Sequence, residues 1–291
     1  MLFGQMNHGM NDSISTIVLF GIFSLFVHKI LQKFGFFALP SSPFDQRKWS
    51  FHETLICFGI FFLCSYFLTP VLGHLILKSQ FKIFDQQVHK IAFLQTLNFC
   101  LNSFCLVFYL SYLPFYKIKS IWKDSSIKPR HSFLYDILMG ILTWLVAFPV
   151  IITVNESLQL FNQFVLKKPE IDQVAVSILK NASSSSISLI FSLLIIILSA
   201  PLIEEFLFRG CLQNFLRPHV GKKGAIFIAS ILFGLMHYSS TQGASNLPLI
   251  GSLTTFSCYL GFIYEKTRSL TSCIFLHATF NTISALRILS M

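Results

Sequence analysis

Two adjacent glutamates, Glu204 and Glu205, and then Arg209 interrupt the apolar run "LSAPLIEEFLFRGCL" at 198–212. At about 100° per residue, Glu205 and Arg209 stand one helical turn apart on the same face, in the acid-before-base order that pairs best. Glu204 points about 100° away from Glu205. The economical arrangement has Arg209 neutralise and orient Glu205 while Glu204 faces something else. A carboxylate without a cation in low-dielectric surroundings is the stronger base, which suits proton abstraction. Pro201 brings no N–H to the helix, so a kink is expected just ahead of the pair. Taken alone, the same charges also fit a packing or topology device.

Two further polar pairs follow at helical spacing. His237 ends the run "ASILFGLMHYSS", four residues after Phe233, with Gly234 permitting close helix approach. His277 and Asn281 project together from one face of "SCIFLHATFNTISAL". Two hydrogen-bonding side chains aimed at one point stabilise a developing oxyanion, or equally hold helices together. Among the acidic residues, only Glu204 and Glu205 are expected at the depth of a span, apart from Asp136 in the first turn of its helix. His28 sits beside Lys29 near a span end, where snorkelling suffices.

The elements that must position these groups are set by composition. The chain has 291 residues, 54% hydrophobic and 12% charged, with a mean hydropathy of +0.67; a soluble globular domain has a different balance. The expectation is an all-α, polytopic transmembrane bundle of about eight helices, near 14–32, 54–77, 91–113, 133–154, 187–208, 224–238, 247–264 and 270–289. One membrane domain results: residues 1–186 supply four helices and a connecting loop, and 187–291 form the core that holds the candidate groups. The loop from Asn155 to Ser186 is expected to be mostly polar linker, with an amphipathic segment around Ile171 to Leu179.

The fifth span inserts poorly alone. Its three charges cost about 8–10 kcal/mol on the insertion scale, and the twelve Leu, Ile and Phe residues of 187–203 return only about 4–7 kcal/mol. Partners inside the bundle, or a place near the membrane edge, must supply the rest.

The net charge of +10 is scattered between spans with no basic cluster interleaved with aromatics, which argues against nucleic acid and for topology and anionic lipid. With the N-terminus external, Lys33, Arg47, Lys48, Lys117, Lys119, Lys123, Lys128, Arg130, Arg217, Lys222, Lys223, Lys266 and Arg268 fall inside. Lys78, Lys82, Lys90, Lys167, Lys168, Lys180 and Arg287 fall outside, so the positive-inside rule places both termini externally. The seven cysteines contain no C-x-x-C pair and read as small packing residues.

The segments "EEFLFRG", "FGLMH" and "HATFN" resemble, in order, the E-E-x-x-x-R, F-x-x-x-H and H-x-x-x-N motifs of the CAAX-processing and bacteriocin-processing (CPBP, or Abi) intramembrane endopeptidases. The resemblance covers about Ile187 to Leu289. It implies a glutamate-type intramembrane protease without a cofactor, set in a bacterial cytoplasmic membrane, whose partners are lipid and a membrane-associated protein or peptide. In that family eukaryotic members trim the last three residues of prenylated C-a-a-X proteins, and bacterial members act on other substrates, peptide precursors among them. By the same resemblance Glu204 and His237 would activate water, His277 and Asn281 would form the oxyanion hole, and Arg209 would hold Glu205.

Two alternatives use the same residues. Glu204, His237 and His277 are a legitimate zinc set, although H-E-x-x-H is missing. A non-enzymatic scaffold, immunity protein or transporter would use them for structure or proton movement. Serine catalysis lacks G-x-S-x-G.

Overall fold

The computed structural model describes residues 2–40, 49–79, 87–123, 132–167, 171 and 173–290. Arg47, Lys48, Lys82, Lys128, Arg130 and Lys168 of the charge count lie outside these residues.

Nine helices run through the described residues, without strands. They are α1 (Leu2–Lys33), α2 (Phe51–Leu63, continuing through a π-turn Cys64–Leu68 into Thr69–Ser79), α3 (Gln87–Ser111) and the short α4 (Phe115–Trp122). Next come α5 (Phe133–Leu160, prolonged by the π-turn Phe161–Val165), α6 (Val174–Ala182), α7 (Ser186–Leu235), α8 (Asn246–Thr267) and α9 (Leu270–Leu289). Seven windows are long and apolar enough to cross a membrane.

One window, α7, holds 50 residues, or about 75 Å of helix against a hydrocarbon core of about 30 Å. Gly221, at φ 73° and ψ 172°, breaks it into a first arm, 186–220, and a second, 222–235. Only glycine enters that backbone region without strain, and here it kinks the chain between the two arms. The two arms correspond to the fifth and sixth helices expected from sequence, so each of the eight expected helices has a counterpart among the described residues. Large apolar side chains such as Leu19, Tyr66 and Phe104 are exposed on its outer surface, as lipid contact requires.

Packing brings the late helices together. α5 lies against α1, α8 and α9, and the second arm of α7 runs along α8. A Cβ added at Gly140 of α5 would stand 2.6 Å from the Ser272 carbonyl of α9, and one at Gly234 would stand 2.8 Å from the Ile250 carbonyl of α8. Small residues at these two points let the backbones touch, which substitutes for a hydrophobic driving force inside lipid.

Several expectations change. The polar stretch after Asn155 is mostly helix, because α5 continues to Val165 with its polar groups engaged: Ser13 Oγ donates to Glu156 Oε2 (3.0 Å) and Asn162 Nδ2 to Ala244 O (2.7 Å). The amphipathic segment forms slightly later than expected, as α6. His28 is engaged inside the protein, its Nε2 2.7 Å from the Tyr259 hydroxyl. All seven cysteines are free thiols, four of them buried.

Candidate active site

The kink expected at Pro201 takes the form of a widened turn. Just upstream, Ile195–Ser199 is π-helical, and the N–H of Ala200 reaches back five residues to Ile195 O. Continuing that register, residue 201 would donate to Ile196 O, but proline has no N–H. Asn281 Nδ2 of α9 donates to that carbonyl instead, at 2.7 Å. The sequence therefore creates an orphan acceptor on α7 and meets it from α9.

Past Pro201 the two glutamates separate as their helical angles require. Glu205 is fully buried. Arg209 Nη1 donates to its Oε1 at 3.2 Å and lies 3.1 Å from Oε2, and His277 Nδ1 lies 2.7 Å from the same Oε1. Arg209 is itself held by α8, donating through Nη2 to Ser257 Oγ (2.6 Å) and Ser257 O (3.2 Å), with its guanidinium 4.8 Å from the Phe233 ring centroid. An ionised carboxylate accepts only, so Nδ1 of His277 carries the proton that points at Glu205.

Glu204 faces the other way, into a cavity of about 660 Å³ whose wall also includes His237, His277, Asn281, Phe233 and Phe280. Its Oε2 lies 4.0 Å from His237 Nε2 and 4.0 Å from His277 Nε2. His237 Nδ1 donates to Phe233 O at 2.9 Å, which turns its Nε2 toward the glutamate. Phe233 and Phe256 stand edge-on to His277, at 5.9 and 5.3 Å between centroids, and screen it from lipid. The structure thus gathers all six residues singled out by sequence, four of them on the cavity wall and two, Glu205 and Arg209, behind it.

Other groups escape detection by spacing. Ser257 anchors Arg209 from another helix. A second fully buried carboxylate, Glu265, stands near the end of α8, 2.8 Å from Arg217 Nη2, and accepts from Gln213 Nε2 at 3.0 Å. Asp136 is also buried, 2.8 Å from Lys123 Nζ and accepting from Ser269 Oγ at 2.8 Å. These clusters tie the opposite end of the bundle together.

The fold and the site define a polytopic membrane bundle with a polar, water-sized gap at the wall of an internal cavity. Residues 186–283 match the family described as Type II CAAX prenyl endopeptidase Rce1-like. The match covers about a third of the chain, from the start of α7 into α9, and it spans all three motifs. No curated relative and no solved structure matches the chain.

Proposed function

We propose that this protein is an intramembrane endopeptidase of glutamic type, cutting a membrane-associated protein or peptide with water activated by Glu204. The observation that carries the reading is the convergence of His237 Nε2 and His277 Nε2 on Glu204 Oε2, each at 4.0 Å on the cavity wall. That separation is too long for a hydrogen bond and suits one bridging water. Glu204 takes a proton as the water oxygen adds to the scissile carbonyl, and His237 Nε2 orients the other proton. Glu204 then delivers its proton to the leaving amine.

The tetrahedral oxyanion needs donors. Asn281 has a second N–H beyond the one given to Ile196. His277 keeps Nδ1–H on Glu205, so its Nε2 faces the cavity and donates to the oxyanion in the imidazolium form, whose second proton comes from solvent water. Arg209 pairs with that carboxylate and holds it in place.

The site works without a metal in this reading. Zinc donors at about 2.0–2.2 Å in a tetrahedron lie about 3.3 Å apart, closer than the 4.0 Å separations here, and among the described residues no group of three His, Cys, Asp or Glu is arranged to hold an ion. The location proposed is a bacterial cytoplasmic membrane with both termini external. The cavity is walled by the C-terminal parts of α5 and α9 and the N-terminal parts of α6 and α8. Those ends lie on the side poorer in Lys and Arg, so the cavity opens externally.

The test is mass spectrometry of membrane peptides from cells making the native protein or Glu204→Gln. Cleavage products are expected to disappear in the variant while the protein stays inserted and folded, and chelators are expected to leave native cleavage intact. Normal cleavage by Glu204→Gln overturns the mechanism. Loss with chelator and recovery with stoichiometric zinc establishes the metalloprotease. Destabilisation of the bundle with no cleavage to lose favours the scaffold or transporter.

A further inference from the structure

Gln242 is a buried amide on the cavity wall that neither the motifs nor the mechanism uses. Only 2% of it is exposed, and its Oε1 has no hydrogen-bond partner. Buried side-chain acceptors are nearly always paired, so an unpaired one at a cavity needs a ligand or a solvent molecule to explain it.

The segment bearing it is braced. Gln242 sits in the 3-10 turn Ser240–Ser245, where Gly243 adopts φ 50° and ψ −125°. Asn246 donates to Ser239 O (2.7 Å) and Gly243 O (2.9 Å) and accepts from Ser239 N–H (2.9 Å). From outside the turn, Asn162 of the π-turn after α5 donates to Ala244 O (2.7 Å), and Ile171 N–H donates to Ser245 Oγ (2.9 Å). Four hydrogen bonds to backbone groups and one to Ser245 Oγ thus brace the segment under a side chain whose own acceptor is unpaired. The braced acceptor shares its cavity with Glu204, His237, His277 and Asn281.

We propose that Gln242 is a substrate-binding residue whose Oε1 accepts a backbone N–H of the peptide being cut, setting the register of the chain against Glu204. A main-chain N–H is the donor every peptide brings regardless of sequence, and a primary amide is its complement. The assignment rests on the endopeptidase reading for the identity of the ligand as a peptide.

The experiment uses the full-length protein in detergent micelles with a mass-encoded library of apolar twelve-residue peptides. Retention is measured on Glu204→Gln protein, so that binding is read without turnover. Adding Gln242→Leu is expected to lower retention roughly tenfold, whereas Gln242→Glu, which keeps an acceptor, holds it within about threefold. N-methylation at one backbone position of the retained peptides is expected to cost the same roughly tenfold, and to cost nothing further once Gln242 is leucine. The melting temperature of Gln242→Leu is expected to equal or exceed that of its parent, because no internal hydrogen bond is lost. Unchanged retention, additive losses from N-methylation and Gln242→Leu, or a lowered melting temperature each overturn the proposal, the last two pointing to a bridging solvent molecule or an internal role. Should Glu204→Gln cleave as the native protein does, the mechanism fails while a coupled loss at Gln242 still stands as peptide binding.

Discussion

Arg209→Met removes the guanidinium that lies 3.1 Å from Oε2 of Glu205, a carboxylate with no exposed surface. Breaking a buried pair by deleting one partner costs about 3–5 kcal/mol, most of it the penalty of an uncompensated charge. Here the lost group also leaves Ser257 Oγ and Ser257 O without their donor, but His277 Nδ1 stays on Glu205 Oε1, which keeps the expected loss inside that range. Glu205→Gln is expected to cost nearly as much, since it strands the guanidinium beside Phe233. The double variant removes both charges together and loses only the neutral hydrogen bonds to Ser257 and Glu205, about 1–2 kcal/mol. The coupling between the two sites is then at least about 4 kcal/mol, read from a double-mutant cycle of reversible unfolding in mixed micelles titrated with SDS. A double variant that loses the sum of the two single losses would refute the reasoning: Glu205 would then owe its burial to something other than Arg209.

Asn281 has separable structural and chemical duties. Asn281→Ala is expected to cost about 1–3 kcal/mol by stranding Ile196 O; in a Pro201→Ala background, where residue 201 regains an N–H, the same change should cost under about 1 kcal/mol in the unfolding assay. Turnover should still fall roughly 100- to 1000-fold with Asn281→Ala in both backgrounds, and recovery of turnover along with stability would remove Asn281 from the oxyanion hole. For orientation, Tyr238→Cys at the cavity wall, in a cysteine-free background, is expected to react with a membrane-impermeant maleimide in intact cells, and Lys223→Cys beside the α7 break only after lysis; the reverse pattern would invert the topology.

The eight helices were legible because burial in lipid demands long apolar runs, and the break at Gly221 reconciles them with a single 50-residue window. The six candidate residues were legible because helical spacing relates neighbours on one face. What stayed hidden depends on contacts between helices. Ser257 under Arg209, Arg217 against Glu265 and the open acceptor of Gln242 lie tens of residues from their partners or have none, so no local pattern marks them. The stretch after Asn155 was misjudged for a related reason: its polar residues looked solvated because their partners Ser13 and Ala244 lie far away in sequence. Pro201 was rightly marked as a disturbance, but the form it took, a π-turn completed by a side chain from α9, follows from tertiary packing.

The division between the two glutamates explains how a bundle can keep an unpaired carboxylate at its cavity wall. Adjacent residues on a helix point about 100° apart, so a single segment presents one acid to the protein and one to the cavity. Glu205 and Arg209 cancel each other, and Ser257, Phe233 and His277 complete their surroundings; they bring two charges into the core with no net charge. Glu204 is left on the cavity wall beside two imidazoles whose Nδ1 atoms are already committed to Phe233 O and Glu205. Had the arginine stood one residue earlier, it would have lain one helical turn from Glu204, quenching the base and leaving Glu205 buried and charged. The spacing therefore does more than make the charges tolerable in lipid: it decides which of two identical side chains is free to take a proton.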